Sequence, residues 1–148
     1  MYRFIFGFLL LCGISLHAQE GIQWVNIEEA EKIQSKNPEK PLFIDVYTDW
    51  CGWCKKMDTS TFKDEEVVSF LNEYFIPVKL DAEQKENIRF KNEIFEFIPS
   101  GNRGVHQLAA VLLQGSLSYP SYVVLNSNGQ ITRIMKGFMP PNDLLNNL

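Results

Sequence analysis

The sequence predicts a single domain of the α/β class, and three observations lead to this prediction. The chain has 148 residues, the size of one domain, and its 45% hydrophobic and 22% charged residues are the proportions of an ordinary folded protein. Along much of the chain, apolar runs bounded by helix breakers alternate with helical patterns. Near the end, two strand-like segments flank Ser127-Asn128-Gly129, which predicts a β-hairpin.

The individual elements follow from local patterns in chain order. Strands are predicted at 23–27, 42–47, 75–80, 122–125 and 130–136, and helices at 28–35, from about residue 51, after Asp64, and near Pro140-Pro141. The run 42–47 is apolar nearly throughout and is preceded by Pro41, which is typical of a strand buried on both faces. Asp64 is a predicted N-cap, because apolar residues at helical spacing follow it. Asn142 and Asp143 would lie in the first turn of the last helix.

Residues 81–118 are less regular than the rest of the chain. Apolar residues at 105, 108, 109, 112 and 113 predict one helical stripe of ordinary core packing. A second apolar group is formed by Phe90, Ile94, Phe95, Phe97 and Ile98, ahead of a turn at 99–104. This second group either covers the core or shapes a surface for a partner, and the pattern does not choose between the two.

The charge balance excludes some classes of partner. Lys and Arg total 14 and Asp and Glu total 18, so the formal net charge is −4, and the chain has no run rich in Lys or Arg. Binding to nucleic acid or to an anionic membrane surface therefore has no electrostatic basis here.

The first 18 residues read as a signal peptide. Arg3 is a short basic region, residues 4–14 are apolar, and Ala18 offers a small residue for cleavage. The apolar run is well below the roughly 20 residues needed to span a bilayer. Export to the periplasm or secretion after cleavage near Ala18 is expected, with lipidation at Cys12 or an uncleaved anchor as alternatives. The mature domain, residues 19–148, then keeps two cysteines and one histidine, His106.

Those two cysteines, Cys51 and Cys54, form a Cys-Gly-Trp-Cys motif where a strand gives way to a helix. Thiols at this spacing on the first turn of a helix can close a small disulfide ring. The outer thiol, Cys51, is expected to face solvent, where the free N–H groups and the helix dipole favour its thiolate. The thiolate is the nucleophile of disulfide exchange, so Cys51 is the predicted nucleophile and Cys54 the predicted resolving thiol.

Two other roles for these cysteines have less support from the sequence. A purely stabilising disulfide is disfavoured because so short a loop restricts the unfolded chain little. A structural zinc site needs four ligands, whereas the mature chain offers two cysteines and one histidine from the usual nitrogen and sulfur set. His106 lies in the irregular region with no motif around it and is expected at the surface or at a helix start. No metal and no cofactor other than the Cys51–Cys54 disulfide is therefore predicted.

The segment 43–55 resembles the active-site strand and helix of the thioredoxin superfamily. Residues 118–125 resemble the cis-proline loop and following strand of that family, Asn128-Gly129 its hairpin turn, and Gly137 the glycine after its last strand. The stretch from Cys54 to Val67 is most similar to exported thiol:disulfide interchange domains, such as the carboxy-terminal domain of DsbD. The resemblance implies a thioredoxin fold, a central mixed β-sheet flanked by helices, here with an extended region before the cis-proline loop.

The resemblance also implies roles for other residues. Asp45 takes the place of the buried carboxylate behind the resolving thiol, and it becomes a candidate proton acceptor for Cys54, or else a structural Asp bonded to backbone. Pro120 is expected to follow a cis peptide bond, and the backbone of Tyr119 to pair with an incoming peptide as a short added strand. An ordinary turn proline is the alternative.

The residues around the dithiol are expected to form an apolar contact surface for substrates. They are Trp50, Gly52 and Trp53, although Trp50 could equally belong to the core. The dipeptide between the cysteines is Gly-Trp rather than the Gly-Pro of ordinary thioredoxin, and this dipeptide strongly influences thiolate stability.

The expected function is an exported, monomeric thiol–disulfide oxidoreductase that acts on protein thiols and disulfides. Reduction is favoured, because Asp45 resembles the carboxylate of reducing thioredoxins and no basic residue lies between the cysteines. A reductase in an oxidising compartment needs a membrane electron donor, here expected to be of the DsbD type. The alternatives are an oxidase or isomerase that uses the same site, and a redox-silent module that binds peptides at Tyr119-Pro120.

Overall fold

A four-stranded mixed sheet forms the centre of the fold in the computed structural model, which describes residues 21–148. Its strands are β1 (Leu42–Tyr47), β2 (Ile76–Asp81), β7 (Ser121–Leu125) and β8 (Ile131–Lys136). They lie in the order β2-β1-β7-β8, with β1 parallel to β2 and the other pairs antiparallel. The strand that leads into the cysteine motif therefore lies inside the sheet.

Within residues 21–148, five helices and one short 3-10 helix accompany this sheet. The helices are α1 (Ile27–Lys36), α2 (Gly52–Thr59), α3 (Glu65–Tyr74), α4 (Gln107–Leu112) and α5 (Pro141–Asn146), and the 3-10 helix is Thr61–Lys63. The Asp64 side chain accepts hydrogen bonds from two backbone N–H groups at the start of α3, as its predicted N-cap role requires. Pro141 begins α5, where its missing N–H is not needed.

The two faces of β1 contribute to two separate hydrophobic clusters. Leu42, Ile44 and Val46 pack with residues of α1 and α4, whereas Phe43 packs with residues of α2, α3 and α5. Successive side chains of a strand point to opposite faces, so Asp45 points to the same face as Phe43. The prediction of a strand buried on both faces is confirmed, and it leaves one carboxylate inside the protein.

The irregular region contains two small hairpins followed by α4. Their strands are β3 (Ile88–Phe90) with β4 (Glu93–Phe95) and β5 (Phe97–Ser100) with β6 (Arg103–His106). The apolar group predicted here is divided: Phe90 is buried in the core, whereas Ile94 and Ile98 are exposed. The first hairpin is bound to α1, because Glu28 and Glu31 accept hydrogen bonds from its backbone.

Two predictions about individual elements are wrong. Residues 23–27 do not form a strand: Val25 makes a single bridge to Val78, and α1 begins at Ile27 because the Asn26 side chain caps it. The apolar stripe is shorter than predicted, because Val105 belongs to β6. The prediction for His106 is confirmed in its helix-start form, because His106 caps α4, and the side chain is fully buried there.

None of the helices within residues 21–148 has the length and hydropathy needed to cross a membrane. The predicted signal peptide, with Cys12 and Ala18, lies outside the described residues.

Candidate functional site

The cysteine motif lies at the point where the chain leaves β1 and enters α2. The Cys51 N–H donates to the Thr48 carbonyl at 3.2 Å, and this turn brings Cys51 to the N-cap of the helix. Cys51 and Cys54 are joined by a disulfide, with their Cα atoms 5.3 Å apart. The motif is therefore a closed disulfide ring on the first turn of a helix.

The expectation that the outer sulfur faces solvent is wrong for this disulfide state. Cys51 is 4% exposed and Cys54 is 3% exposed, so the two residues are about equally buried. The Cys51 Sγ is bonded to the Cys54 sulfur and accepts the Cys54 N–H at 3.1 Å. Both contacts turn the outer sulfur towards the helix, so the disulfide has little contact with solvent.

Two tryptophans border the disulfide and are exposed. Trp50 is 50% exposed and Trp53 is 62% exposed, which excludes the core alternative for Trp50. The Trp53 ring packs against Phe138 with the ring centres 5.5 Å apart. Between the cysteines, Gly52 borders open space, because a Cβ built there would have no other atom within 4 Å. This edge of the molecule offers a mostly apolar contact surface.

The loop before β7 reaches the same surface. The Tyr119–Pro120 peptide bond is cis, and the Pro120 carbonyl accepts the Gly137 N–H at 2.8 Å. The Tyr119 ring meets Trp50 edge-on, with ring centres 6.0 Å apart. Within residues 21–148 neither the N–H nor the C=O of Tyr119 has a hydrogen-bond partner. The fold thus brings an unpaired stretch of backbone beside the disulfide, 65 residues or more away from it in the chain.

Asp45 is buried and is not bonded to backbone. It is 1% exposed, and its Oδ2 accepts a hydrogen bond from Lys79 Nζ at 2.6 Å, while its Oδ1 has no partner within the described chain. Burial raises the pKa of the Asp45 carboxyl from 3.8 to about 6, although the attraction of Lys79 opposes the rise and the Asp58 charge adds to it. Asp45 is therefore a buried carboxyl that can change its protonation state near neutral pH.

Lys79 and Asp58 complete a charged group that the sequence analysis missed. Lys79 lies opposite Asp45 in the β1–β2 register, and its Nζ also contacts Asp58 Oδ1 at 2.5 Å. Burial lowers the pKa of Lys79, but the two carboxylates raise it more, so the lysine stays charged. One signal was present in the sequence, because Asp58 follows Cys54 by four residues and therefore lies on the same side of α2.

This group also borders the outside of the protein. Asp58 and Lys79 line an open cavity of about 300 Å³ together with Trp24 and Phe62. The Asp58 side chain is 45% exposed, whereas that of Asp45 is 2% exposed. A continuous set of hydrogen bonds therefore leads from the buried carboxyl through Lys79 to a carboxylate in contact with water.

His106 has a structural role in the described chain. Its Nδ1 accepts the Leu108 N–H at 3.3 Å, so the ring proton is on Nε2, which lies 3.2 Å from the Glu86 carbonyl. Burial lowers the pKa of His106 and favours this neutral form. Within residues 21–148 no group of three or more His, Cys, Asp and Glu side chains is arranged to hold a metal ion.

Comparisons with known proteins agree with this fold. The family model Thioredox_DsbH, described as "Protein of unknown function, DUF255", matches residues 13–143. The "Thiol:disulfide interchange protein DsbD" of Campylobacter jejuni is 25% identical over 122 residues, 82% of this chain and 18% of that protein. The chain spans less than a fifth of the length of the curated relatives that it matches.

Two solved structures show the same fold. The "DsbH Oxidoreductase" aligns with a TM-score of 0.58 and 21% identity, covering 89% of this chain and 87% of that one. The oxidised DsbD c-terminal domain of Neisseria meningitidis aligns with a TM-score of 0.54 and 21% identity, covering 80% and 86%. The resemblance to thioredoxin-like interchange proteins is thereby confirmed, and the chain belongs to the Thioredox_DsbH family, as a thioredoxin-fold member that carries a Cys-Gly-Trp-Cys disulfide.

Proposed function

We propose that this protein is an exported thiol–disulfide oxidoreductase that reduces disulfides in other proteins. One observation carries the proposal: the Cys51–Cys54 disulfide caps a helix, and Trp50, the residue before Cys51, contacts the ring of Tyr119 in the cis Pro120 loop. The kinship with thiol:disulfide interchange proteins supports it. The redox-active disulfide itself is the only cofactor in the proposed reaction.

The reaction transfers two electrons in two exchanges. In the reduced protein, the Cys51 thiolate attacks one sulfur of the substrate disulfide, which forms a mixed disulfide and releases the other substrate sulfur as a thiolate. Cys54 then loses its proton and attacks Cys51 Sγ, which releases the second substrate thiolate. The substrate gains two electrons, the protein disulfide forms, and each released thiolate takes up one proton.

Asp45 is the proposed acceptor of the Cys54 proton. A carboxyl with a pKa of about 6 can accept a proton from a thiol and return it to water at neutral pH. The hydrogen bonds through Lys79 to the exposed Asp58 support an exchange of that proton with solvent.

Substrate binding uses the surface beside the disulfide. The free N–H and C=O of Tyr119 are suited to pair with an extended segment of the substrate as an added strand. Trp50, Gly52 and Trp53 supply the apolar contact around it, and Gly52 leaves space for a close approach.

The first test is the reduction potential of the Cys51–Cys54 pair. The purified protein is equilibrated with dithiothreitol or glutathione buffers, and tryptophan fluorescence reports the redox state because Trp50 and Trp53 adjoin the pair. A potential near about −270 mV, that of thioredoxin, supports a reductase. A potential near about −120 mV, that of DsbA, reverses the direction and indicates an oxidant. The absence of a reversible dithiol contradicts the redox function.

Two variants separate chemistry from binding. Cys54→Ser is expected to trap a mixed disulfide between Cys51 and a substrate protein, whereas Cys51→Ser is expected to lose exchange altogether. Full activity in Cys51→Ser would instead indicate a redox-silent peptide-binding module.

A reductase that works outside the cytoplasm needs a source of electrons, and we propose a membrane donor of the DsbD type. In cells that lack such a donor, the Cys51–Cys54 dithiol is expected to become oxidised rapidly. Persistence of the dithiol in those cells would contradict this part of the proposal.

A further inference from the structure

The β5–β6 hairpin ends beside the redox motif. Arg103 is the first residue of β6, directly after the exposed Gly101-Asn102 turn. Its guanidinium carbon lies 4.5 Å from the centre of the Trp50 ring, and Trp50 immediately precedes Cys51. The additional region of this chain thus contributes a charged side chain to the surface around the disulfide.

Close packing holds this hairpin in place. A Cβ added to Gly104 would meet the Phe97 ring and the Ile98 carbonyl oxygen at less than 3 Å, so the two strands touch there without space between them. At the base of the hairpin, the His106 N–H donates to the Ala82 carbonyl at 2.7 Å. Arg103 therefore projects from a segment that is anchored directly after β2.

The guanidinium of Arg103 has no hydrogen-bond partner in the part of the chain that the structure describes. Within residues 21–148 the salt bridges are the two of Lys79, and no side-chain hydrogen bond involves Arg103, which is exposed. A guanidinium that stacks on an aromatic ring uses its face, and its N–H donors remain available in the plane. Glu83 and Lys85, which carry opposite charges, line a cavity of about 250 Å³ with Arg103.

Trp50 links this guanidinium to the proposed peptide-binding backbone. The Trp50 ring contacts the guanidinium of Arg103. The same ring also contacts the Tyr119 ring, with the ring centres 6.0 Å apart. A peptide that lies along Tyr119 therefore passes Trp50, and a side chain next to the substrate cysteine comes within reach of Arg103. A planar guanidinium with free donors is suited to a carboxylate, which it can bind through two parallel hydrogen bonds.

We propose that Arg103 is a substrate-binding residue that selects proteins with an Asp or Glu side chain next to the disulfide to be reduced. The proposal rests on the proposed function, because it assigns a substrate class to the same site. Arg103 takes no part in the exchange of electrons. It strengthens the encounter with one class of substrate.

The test uses two disulfide-bonded peptides that differ only in Glu or Gln beside a cysteine. The reduced protein is mixed with each peptide, and the second-order rate constant of its oxidation is followed by tryptophan fluorescence. We expect the wild type to react about two to five times faster with the Glu peptide at low ionic strength, the range of an exposed ion pair. This ratio is expected to approach one at high salt.

Variants assign the preference to Arg103. In Arg103→Gln the ratio is expected to fall to about one, and Arg103→Lys is expected to retain part of the preference. Arg133→Gln is the matched control, since it removes the same charge from an exposed position on β8 and should leave the ratio as in the wild type.

The outcomes distinguish this inference from the function on which it rests. Equal rates for the two peptides with the wild type would overturn the role of Arg103 and leave the reductase function intact. A loss of preference in Arg133→Gln as large as that in Arg103→Gln would also overturn it, because the effect would then be one of net charge. If neither peptide oxidises the reduced protein, the proposed function fails as well.

Discussion

Replacing Asp45 by Asn is expected to stabilise the protein at pH 8 and to leave its stability nearly unchanged at pH 4. The carboxyl is buried, and one of its oxygens has no hydrogen-bond partner within residues 21–148. Its ionised form is therefore costly in the folded protein. Asn has a similar shape and stays neutral at every pH, and Lys79 keeps Asp58 as a partner after the substitution.

The magnitude follows from the pKa of Asp45. A rise from 3.8 in the unfolded chain to about 6 in the folded protein corresponds to about 3 kcal/mol between the two protonation states. The pKa of Asp45 is higher in the folded protein than in the unfolded chain. The wild type therefore has its full stability below about pH 4, where the carboxyl is protonated, and loses up to this amount as the pH rises through about 6. The variant should exceed the wild type at pH 8 by at most about 3 kcal/mol in free energy of unfolding.

Urea unfolding of the oxidised proteins at pH 4 and pH 8, followed by tryptophan fluorescence, measures this difference. Asp143→Asn is the control, because Asp143 is exposed at the start of α5, and its effect should be small at both pH values. A gain in stability of equal size at pH 4 and pH 8 would refute the reasoning, and so would a loss of stability at pH 8.

Three further substitutions test other parts of the structure. Asp58→Asn is expected to lower the pKa of Asp45, because a nearby negative charge is removed and Lys79 is left to Asp45 alone. NMR titration of the Asp45 carboxyl carbon measures this pKa, and a rise would contradict the prediction. Gly104→Ala is expected to destabilise the protein by about 1–3 kcal/mol through steric overlap in the hairpin, while Asn102→Ala in the exposed turn should change the thermal midpoint little. Asp64→Ala removes the cap of α3 and is expected to cost about 1 kcal/mol in urea unfolding, and an unchanged midpoint would show that the cap does not contribute.

The main sheet and its helices could be predicted because their signals are local. The apolar run of β1, the cap at Asp64 and the hairpin turn at Asn128-Gly129 each specify their element within a few residues. The disulfide pair could be identified for the same reason, since Cys51 and Cys54 lie one helical turn apart.

The charged group around Asp45 could not be predicted in the same way. Asp45, Asp58 and Lys79 come from β1, α2 and β2, and they meet only because the parallel register pairs Asp45 with Lys79. A strand pattern shows that a residue is buried, but it does not show which residue of the neighbouring strand lies opposite.

The small hairpins were missed for a different reason. Their strands have only three or four residues, and Ile94 and Ile98 on them are exposed. Neither the length of these segments nor an alternation of apolar and polar residues therefore indicated a strand. The β3–β4 turn has positive φ at both Lys91 and Asn92. Asn is common in such a turn, whereas Lys gives no signal for it.

The way in which residues 82–106 are attached has a consequence for how such a protein can diversify. Neither hairpin adds a strand to the four-stranded sheet; their ladders are separate, and bonds such as His106 N–H to Ala82 O join them to the rest. The strand pairings that place Cys51, Asp45 and the cis Pro120 loop consequently include no residue of the β5–β6 hairpin. If Arg103 selects substrates as we propose, mutations in the β5–β6 turn can alter which proteins are recognised without changing the residues that exchange electrons.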